Sequence, residues 1–177
     1  MRFSSLHKPG RHAALPAALA ALLLGGCAAV QPKASPAAEP AATASAAPES
    51  AAGLVSVPSQ HSVKASLDRL TQMAQARGLM VFARVDHSGE AQKVNLPLRP
   101  TQVLILGAPK AGTPLMQSRQ TTAIDLPLKV LAWEDAQGRT WLSYNDAEWL
   151  QQRHGFTPAL KANLAGLAKL VDAAAAR

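Results

Sequence analysis

The chain contains 177 residues, with 18 Lys and Arg against 11 Asp and Glu, and a single Cys. One Cys excludes an internal disulfide framework and a cysteine-rich metal site. No apolar run reaches the roughly 18 residues that a membrane-spanning helix requires. The length allows one ordinary domain.

The first segment has the pattern of a secretory leader. Arg2, Lys8 and Arg11 give it a positive start, and the mostly apolar residues 13–24 follow. A basic start, a short apolar stretch and small residues before a cleavage site are typical of a signal peptide. The stretch is too short to span a bilayer by itself. The sequence therefore predicts that the chain is exported.

The leader ends in Leu24-Gly25-Gly26-Cys27, which resembles the lipobox of bacterial lipoproteins. The resemblance implies that the Cys27 thiol receives a diacylglyceryl group, that cleavage leaves Cys27 first, and that acyl chains such as palmitate hold the chain on a membrane. Each buried CH₂ contributes about 0.8 kcal/mol, so two or three chains anchor stably. The alternative is an ordinary signal peptide with an incidental Cys. Ala28 in place of Asp favours the outer membrane, with the chain facing the periplasm of the cell envelope.

Residues 28–52 have the composition of a tether. Twelve of these 25 residues are Ala and four are Pro. No branched apolar residue occurs between Val30 and Leu54, so the segment cannot bury a core, and we predict a disordered spacer. Fully extended it would reach about 80 Å, enough to hold a folded domain away from a lipid surface.

Residues 53–177 are long enough for one packed core without disulfides. The pattern predicts a strand over residues 54–57, ended by Pro58, and then a helix capped by Ser62 and ended by Gly78. The apolar residues of this helix repeat at helical spacing: Val63, Leu67, Leu70 and Ala74. Two further strands are predicted at residues 79–85 and 103–106.

The second half begins with a short predicted helix over residues 113–121, with Pro114 in its first position. Strands at residues 129–133 and 140–144 flank a hairpin turn that contains Gly138. Asp146 caps a helix that runs to His154. A last amphipathic helix is predicted from Thr157-Pro158, with one apolar stripe formed by Leu160, Leu164, Leu167 and Val171.

The order of these elements predicts an α+β two-layer sandwich. Six segments, taken together, are similar to one known family. They are Phe82-Ala83-Arg84-Val85-Asp86-His87 with Ala91; Pro100-Thr101-Gln102-Val103-Leu104-Ile105-Leu106-Gly107-Ala108-Pro109; Gly112-Thr113-Pro114-Leu115-Met116; Ile124-Asp125-Leu126-Pro127-Leu128-Lys129; Trp133-Glu134-Asp135 with Gly138; and Tyr144-Asn145.

Over residues 53–155 the chain thus resembles the domain-of-unknown-function 302 family. The resemblance implies a curved, mainly antiparallel sheet with helices on one face, similar to the TATA-binding-protein topology, and a homodimer. It implies no activity and no cofactor, because the family has no established reaction. The family more often carries Asn where this chain has Ala108, which weakens any site that such an Asn helps to form. Residues 156–177 are expected to pack on the domain as a C-terminal helix.

Asp86, His87, Asn145 and Asp125 are the candidate ligand or metal-binding residues. A histidine titrates near neutral pH and ligates metals. Neighbouring strand residues point to opposite faces, however, so the Asp86 and His87 side chains should diverge. The alternative is that Asp86 caps a turn or helix. A zinc-type site needs three or four convergent ligands, and these residues with His154 lack metal-motif spacing. No particular metal is predicted.

Trp133 and Trp141 are candidate pocket aromatics. The alternative is that they anchor the core or a dimer interface, which large aromatic residues commonly do. Residues 107–113 lack the Gly-Lys-Ser/Thr ending of a phosphate loop, although the segment has the small residues suited to a cavity wall. Asp125 and Lys129 flank a proline turn, where a salt bridge or turn cap is the simpler interpretation.

The chain shows no nucleophile and base in a catalytic pattern and no cofactor motif. Nucleic acid is not an expected partner, because the positive charge of the domain is scattered and the chain is exported. The favoured hypothesis is a lipid-anchored, non-enzymatic envelope module that binds a small ligand or itself. Two alternatives stay open: an envelope enzyme or metal-binding protein that uses Asp86, His87 and Asn145, and an accessory subunit that docks on another envelope protein.

Overall fold

A computed structural model describes residues 51–177, which form a five-stranded sheet with helices. The spatial order of the strands is β1-β5-β4-β3-β2, and every neighbouring pair is antiparallel. The predicted α+β class is therefore confirmed. The strands are β1 (Leu54–Ser59), β2 (Met80–Asp86), β3 (Thr101–Gly107), β4 (Leu128–Glu134) and β5 (Thr140–Asn145).

Five α-helices and two short 3₁₀ segments complete the described part of the chain. Within it, no helix combines the length and the apolar character needed to cross a membrane. The helices are α1 (Val63–Ala76), α2 (His87–Lys93), α3 (Pro109–Ser118), α4 (Ala147–His154) and α5 (Gly166–Ala175), and the 3₁₀ segments are Gln120–Ile124 and Pro158–Asn163.

Strand β1 continues through Pro58, which was expected to end it. Pro58 lies opposite Trp141 in the β1/β5 ladder, and β1 is an edge strand. A proline is tolerated there because its missing N–H would otherwise face away from the sheet. Strand β2 forms the other edge. The connection through α1 therefore crosses the full width of the sheet.

Helix α1 follows its sequence signals closely. The Ser62 side chain accepts a hydrogen bond from the Ala65 backbone N–H (3.3 Å), and Gly78 takes the left-handed conformation just after the helix, with φ of 74°. This conformation favours glycine because it has no Cβ. The four apolar residues predicted for the inner face are all buried: Val63, Leu67, Leu70 and Ala74.

Three helical predictions differ from the structure. Helix α2 was not predicted, because its sequence, HSGEAQK, has no apolar stripe. Helix α3 begins at Pro109 rather than at residue 113, so Pro114 lies inside it at the loss of one backbone hydrogen bond. The single last helix is in fact two pieces, the second 3₁₀ segment and α5, and Gly166 stands at the start of the second piece.

The buried residues form two hydrophobic clusters. In the larger one, α1 and α5 pack on one face of the sheet, and its central side chains include Leu67, Leu104, Leu142 and Val171. The smaller cluster joins α3, α4 and the second 3₁₀ segment, and it is built from Leu115, Leu150, Phe156 and Leu164. The boundary between the two clusters contains the candidate site.

Candidate ligand pocket

A cavity of about 450 Å³ lies between the two clusters. Its volume falls within the range of small-molecule sites. We call it the leucine pocket, because seven leucines contribute to its walls. They are Leu79, Leu106, Leu126, Leu128, Leu164, Leu167 and Leu170.

The start of β2 supplies an aromatic wall through a strand irregularity. The register between β2 and β3 shifts between Val81 and Ala83, so Phe82 stands as the extra residue. A bulge of this kind re-aims a side chain, and Phe82 lines the pocket. A cis peptide joins Leu126 to Pro127 on the facing wall.

The third wall of the pocket is formed by small residues at the end of β3 and in α3, which project little into the cavity. Gly107, Ala108, Ala111 and Gly112 all line the pocket. A Cβ added at Gly112 would lie 3.6 Å from Leu126 Cδ1, an ordinary contact distance. Ala108 is the N-cap of α3 and offers no side-chain hydrogen bond. An Asn there would cap the helix and add a polar group, so the alanine makes this wall more apolar.

The polar side chains in the lining are few. Asn163 Nδ2 donates a hydrogen bond to the Ala111 carbonyl (3.1 Å), which ties the second 3₁₀ segment to α3 across the pocket. Thr113 and Arg77 are the other two. Among residues 51–177, the lining contains no Asp or Glu. A mostly apolar wall with a few polar groups is the usual composition of a ligand site.

A hydrogen bond between Asp125 and His154 holds the segment that leads into the cis-proline wall. Asp125 Oδ2 lies 2.6 Å from His154 Nε2 and 3.3 Å from Arg153 Nε, and the His154 side chain is 5% exposed. The partner of Asp125 is thus in α4 and is not Lys129. Because Asp125 directly precedes Leu126 and Pro127, this contact fixes one edge of the leucine pocket to α4.

The structure does not bring the candidate catalytic or metal-binding residues together. Strands β3 and β4 separate β2, where Asp86 lies, from β5, where Asn145 lies. At about 4.8 Å per strand spacing, the two backbones are at least roughly 14 Å apart. Asn145 lines a separate cavity of about 70 Å³. Within residues 51–177, no group of three or more His, Cys, Asp or Glu side chains could hold a metal ion.

Asp86 serves as the N-cap of α2. Its side chain accepts hydrogen bonds from the Ser88 hydroxyl (2.7 Å) and the Gly89 N–H (2.9 Å). These two bonds, the hydroxyl first, hold the pKa of Asp86 below its usual value. His87 is exposed at the start of the same helix. Cys27, the predicted lipidation residue, lies outside the described residues.

Trp133 and Trp141 do not line the leucine pocket. They are cross-strand partners with ring centroids 6.5 Å apart, on the sheet face opposite α1 and α5. The Trp133 indole N–H donates to Ser143 Oγ, and the Trp141 indole N–H donates to Asp135 Oδ2, both at 2.8 Å. The described contacts of these two rings are therefore structural, and the pocket aromatic is Phe82.

The sequence analysis did not predict Phe82 and the leucines as site residues, because their pattern is that of ordinary core positions. Only the small residues 107–113 carried a signal for a cavity wall. The pocket depends on parts of the chain that are far apart in sequence, and no local pattern records that they meet.

Comparison with known proteins agrees with this architecture. The crystal structure of a DUF302 protein from Bacillus stearothermophilus superposes with a TM-score of 0.60 at 19% identity, covering 71% of this chain and 97% of that one. This likeness shows the fold alone.

Two curated relatives are named fluoride-specific ion channel FluC 1, from Brucella suis and Brucella abortus. Each is 43% identical over 127 residues, which cover 70% of this chain and 50% or 47% of the relative. The chain thus spans about half the length of these relatives. The family model described as domain of unknown function DUF302 matches residues 55–174, a range that includes all of α5 except its last residue, Ala175. The chain belongs to the DUF302 family.

Proposed function

We propose that this chain is a lipid-anchored protein of the cell envelope whose DUF302 domain binds a small apolar ligand in the leucine pocket, without catalysis. The observation that carries the proposal is the cavity of about 450 Å³ between two packed clusters. Protein interiors normally leave few voids larger than a water molecule. A cavity of this size with aliphatic walls has the volume and the composition expected of a small-molecule site.

An apolar occupant gains from these walls in two ways. Each Å² of apolar surface removed from water contributes roughly 25 cal/mol, and the leucine side chains gain dispersion contacts that an empty space does not give. Gly107, Ala108 and Gly112 leave room on the wall where larger side chains would fill the space. The pocket is thus preformed, which lowers the ordering cost of binding.

Binding is favoured over catalysis because the polar candidates are dispersed. Asp86 caps α2, Asp125 pairs with His154, and Asn145 lies on a different cavity. The polar side chains of the leucine pocket are those of Arg77, Thr113 and Asn163. This set provides no nucleophile paired with a general base. An enzyme or metal-binding role for Asp86, His87 and Asn145 is therefore not part of the proposal.

The anchor and the location rest on the sequence. Leu24-Gly25-Gly26-Cys27 supports acylation of Cys27, and Ala28 supports sorting to the outer membrane, facing the periplasm. The Ala- and Pro-rich residues 28–52 then act as the spacer. The domain would bind its ligand within about 80 Å of the lipid surface.

A titration of the full chain with decan-1-ol, a neutral apolar probe, tests the pocket. We expect saturable binding of one decanol per chain by isothermal titration calorimetry. Gly112→Leu should weaken it at least tenfold, because the new side chain enters the cavity. This variant should keep its stability, because replacing a glycine inside a helix gains about 0.5–1 kcal/mol.

Gln117→Leu is the matched control, because it adds the same side chain at an exposed position of α3. It should bind decanol as the unmodified chain does. Equal binding by Gly112→Leu and the unmodified chain, or no saturable binding by either, would contradict the proposed function.

A second candidate function is that of an accessory domain that docks on another envelope protein. The Brucella relatives favour it, because in these proteins, which are named as ion channels, about half of the length is 43% identical to this chain. The docking surface we propose is the open sheet face, formed by the strand residues that point away from α1 and α5. It consists of Val85, Val103, Ile105, Leu131 and Trp133, and apolar surface of this kind marks interaction sites.

Cross-linking in intact cells tests the open sheet face. We expect the full chain to be linked to another envelope protein and Leu131→Glu to reduce the yield severalfold, because it places a charge in an apolar contact. Lys169→Glu, which reverses a charge at an exposed position of α5 on the other side of the sheet, is the control and should leave the yield unchanged. Retained decanol binding would show that Leu131→Glu is folded. A product of twice the chain's mass would assign the face to a homodimer instead, and equal yields in all three chains would contradict docking through it.

A further inference from the structure

We infer that the leucine pocket takes a single-chain amphiphile with an anionic head, a carboxylate or a phosphate monoester, and that Arg77 holds the head at the pocket mouth. This inference rests on the proposed function and adds the chemical class of the ligand. The observation behind it is the pairing of aliphatic walls with one cation and no carboxylate in the lining.

The backbone of Arg77 is fixed at the end of α1. Its N–H donates to the Ala74 carbonyl (3.1 Å), and Gly78 turns the chain so that Leu79 enters the pocket wall. Arg77 is the C-cap of the helix and is itself exposed while it borders the cavity. Arg77 therefore borders both solvent and the apolar interior, so that the head of an amphiphile at the pocket mouth would lie within reach of its guanidinium.

Several other arginines of the domain have acceptors, and the two whose side chains have none among residues 51–177, Arg119 and Arg177, do not line the pocket. Arg69 donates to the Ala174 and Ala176 carbonyls, and Arg84 binds Asp68 and Gln102. Within the described range, by contrast, the guanidinium of Arg77 has no hydrogen bond or ion pair. Its N–H donors are free to bind two oxygens of one carboxylate or phosphate side by side.

Charge complementarity distinguishes this ligand from neutral and cationic ones. A carboxylate at the mouth gains a charge-assisted hydrogen bond from Arg77, whereas an alcohol of the same chain length gains little. A cationic amphiphile would meet Arg77 with no carboxylate in the lining to offset it. A peptide segment is disfavoured for a different reason: its backbone N–H and C=O groups would lose water against aliphatic walls with few partners.

The test compares decanoate with decan-1-ol, which share one chain and differ in the charge of the head. The proteins are the full chain, Arg77→Gln, and Lys93→Gln. The last removes the same charge from α2, at the opposite end of β2 from the pocket. We expect Arg77→Gln to lower the affinity for decanoate about tenfold, which corresponds to about 1.4 kcal/mol. The affinity for decanol should change less than twofold. Lys93→Gln should leave both affinities unchanged.

Two further arms complete the test. Added salt should weaken decanoate binding to the unmodified chain and leave its binding to Arg77→Gln nearly constant, because screening acts on the exposed charge pair. Binding of decyl phosphate should show the same dependence on Arg77 and on salt as binding of decanoate. The tighter of the two heads then separates a free carboxylic acid from a lipid phosphate as the source of the ligand.

The failures of the two proposals are distinguishable. Suppose that the unmodified chain binds decanol, but that Arg77→Gln changes the affinities for decanoate and decanol equally or changes neither. The assignment of an anionic head is then wrong, and the proposal of a ligand-binding pocket is unaffected. If decanol does not bind the unmodified chain at all, the proposed function itself fails.

Discussion

Cys27→Ser in the full chain is expected to abolish acylation completely. The unmodified chain should incorporate radiolabelled palmitate and begin at Cys27, whereas the variant should carry no label and retain residues 1–26. The reason is chemical, because under the proposed anchor the Cys27 thiol accepts the diacylglyceryl group, and serine offers only a weaker nucleophile. Loss of two or three acyl chains, at about 0.8 kcal/mol per buried CH₂, removes the stable anchor.

Gly26→Ala is the matched control for this experiment. It keeps a small side chain before the cleavage site and should be labelled as the unmodified chain is. Absence of label on the unmodified chain, or its recovery with residues 1–26 attached, would contradict both the anchor and the envelope location.

Asp135→Asn is expected to destabilise the β4/β5 hairpin more than any exposed charge change. Asp135 Oδ1 accepts from the backbone N–H groups of Gln137 and Arg139, and Oδ2 accepts from Arg139 Nε and the Trp141 indole, at 2.7–2.9 Å. An Asn has one acceptor oxygen and one NH₂ group, so in either orientation it turns donors toward donors. A buried indole N–H without an acceptor costs about 1–3 kcal/mol.

The same carboxylate makes the stability of the domain depend on pH. Burial by itself raises the pKa of Asp135, but the hydrogen bonds from Trp141, Arg139 and Gln137 outweigh it and hold the pKa far below its usual value. A carboxyl with a depressed pKa in the folded state stabilises the fold above its unfolded pKa of about 3.9, and the contribution is lost as the pH falls through the folded pKa.

Urea unfolding between about pH 7 and pH 3 measures both effects. The free energy of unfolding of the unmodified chain should decrease as the pH falls below about 4. Asp135→Asn should have a lower free energy of unfolding at pH 7 and should lose less of it over the same pH range. Asp172→Asn, an exposed change on α5, should follow the unmodified chain. Parallel pH curves for the unmodified chain and Asp135→Asn would show that the hydrogen-bonded carboxylate does not act this way.

Sequence signals that act over a few residues predicted much of this fold. The Ser62 cap, the Gly78 that ends α1 and the Asp146 cap are local features, and the structure contains all three. The hairpin at Gly138 is local in the same sense. The α+β class followed because strands and helices identified in this way occur in an order that fits one sheet.

Features that depend on contacts between distant residues were not predictable in this way. The leucine pocket forms where the end of α1, the β2 bulge at Phe82, helix α3, the segment 126–128 and α5 meet. Each leucine in the pocket has the sequence pattern of an ordinary core residue. The space between them results from the packing of these segments, which the sequence pattern does not describe.

Native mass spectrometry of the full chain purified from its own cell envelope tests the central claim most directly. The unmodified chain should carry one small apolar molecule in a one-to-one complex, and Gly112→Leu purified in the same way should lack it. Identical masses for the two chains, apart from the substitution and with no bound molecule on either, would contradict a ligand-binding leucine pocket.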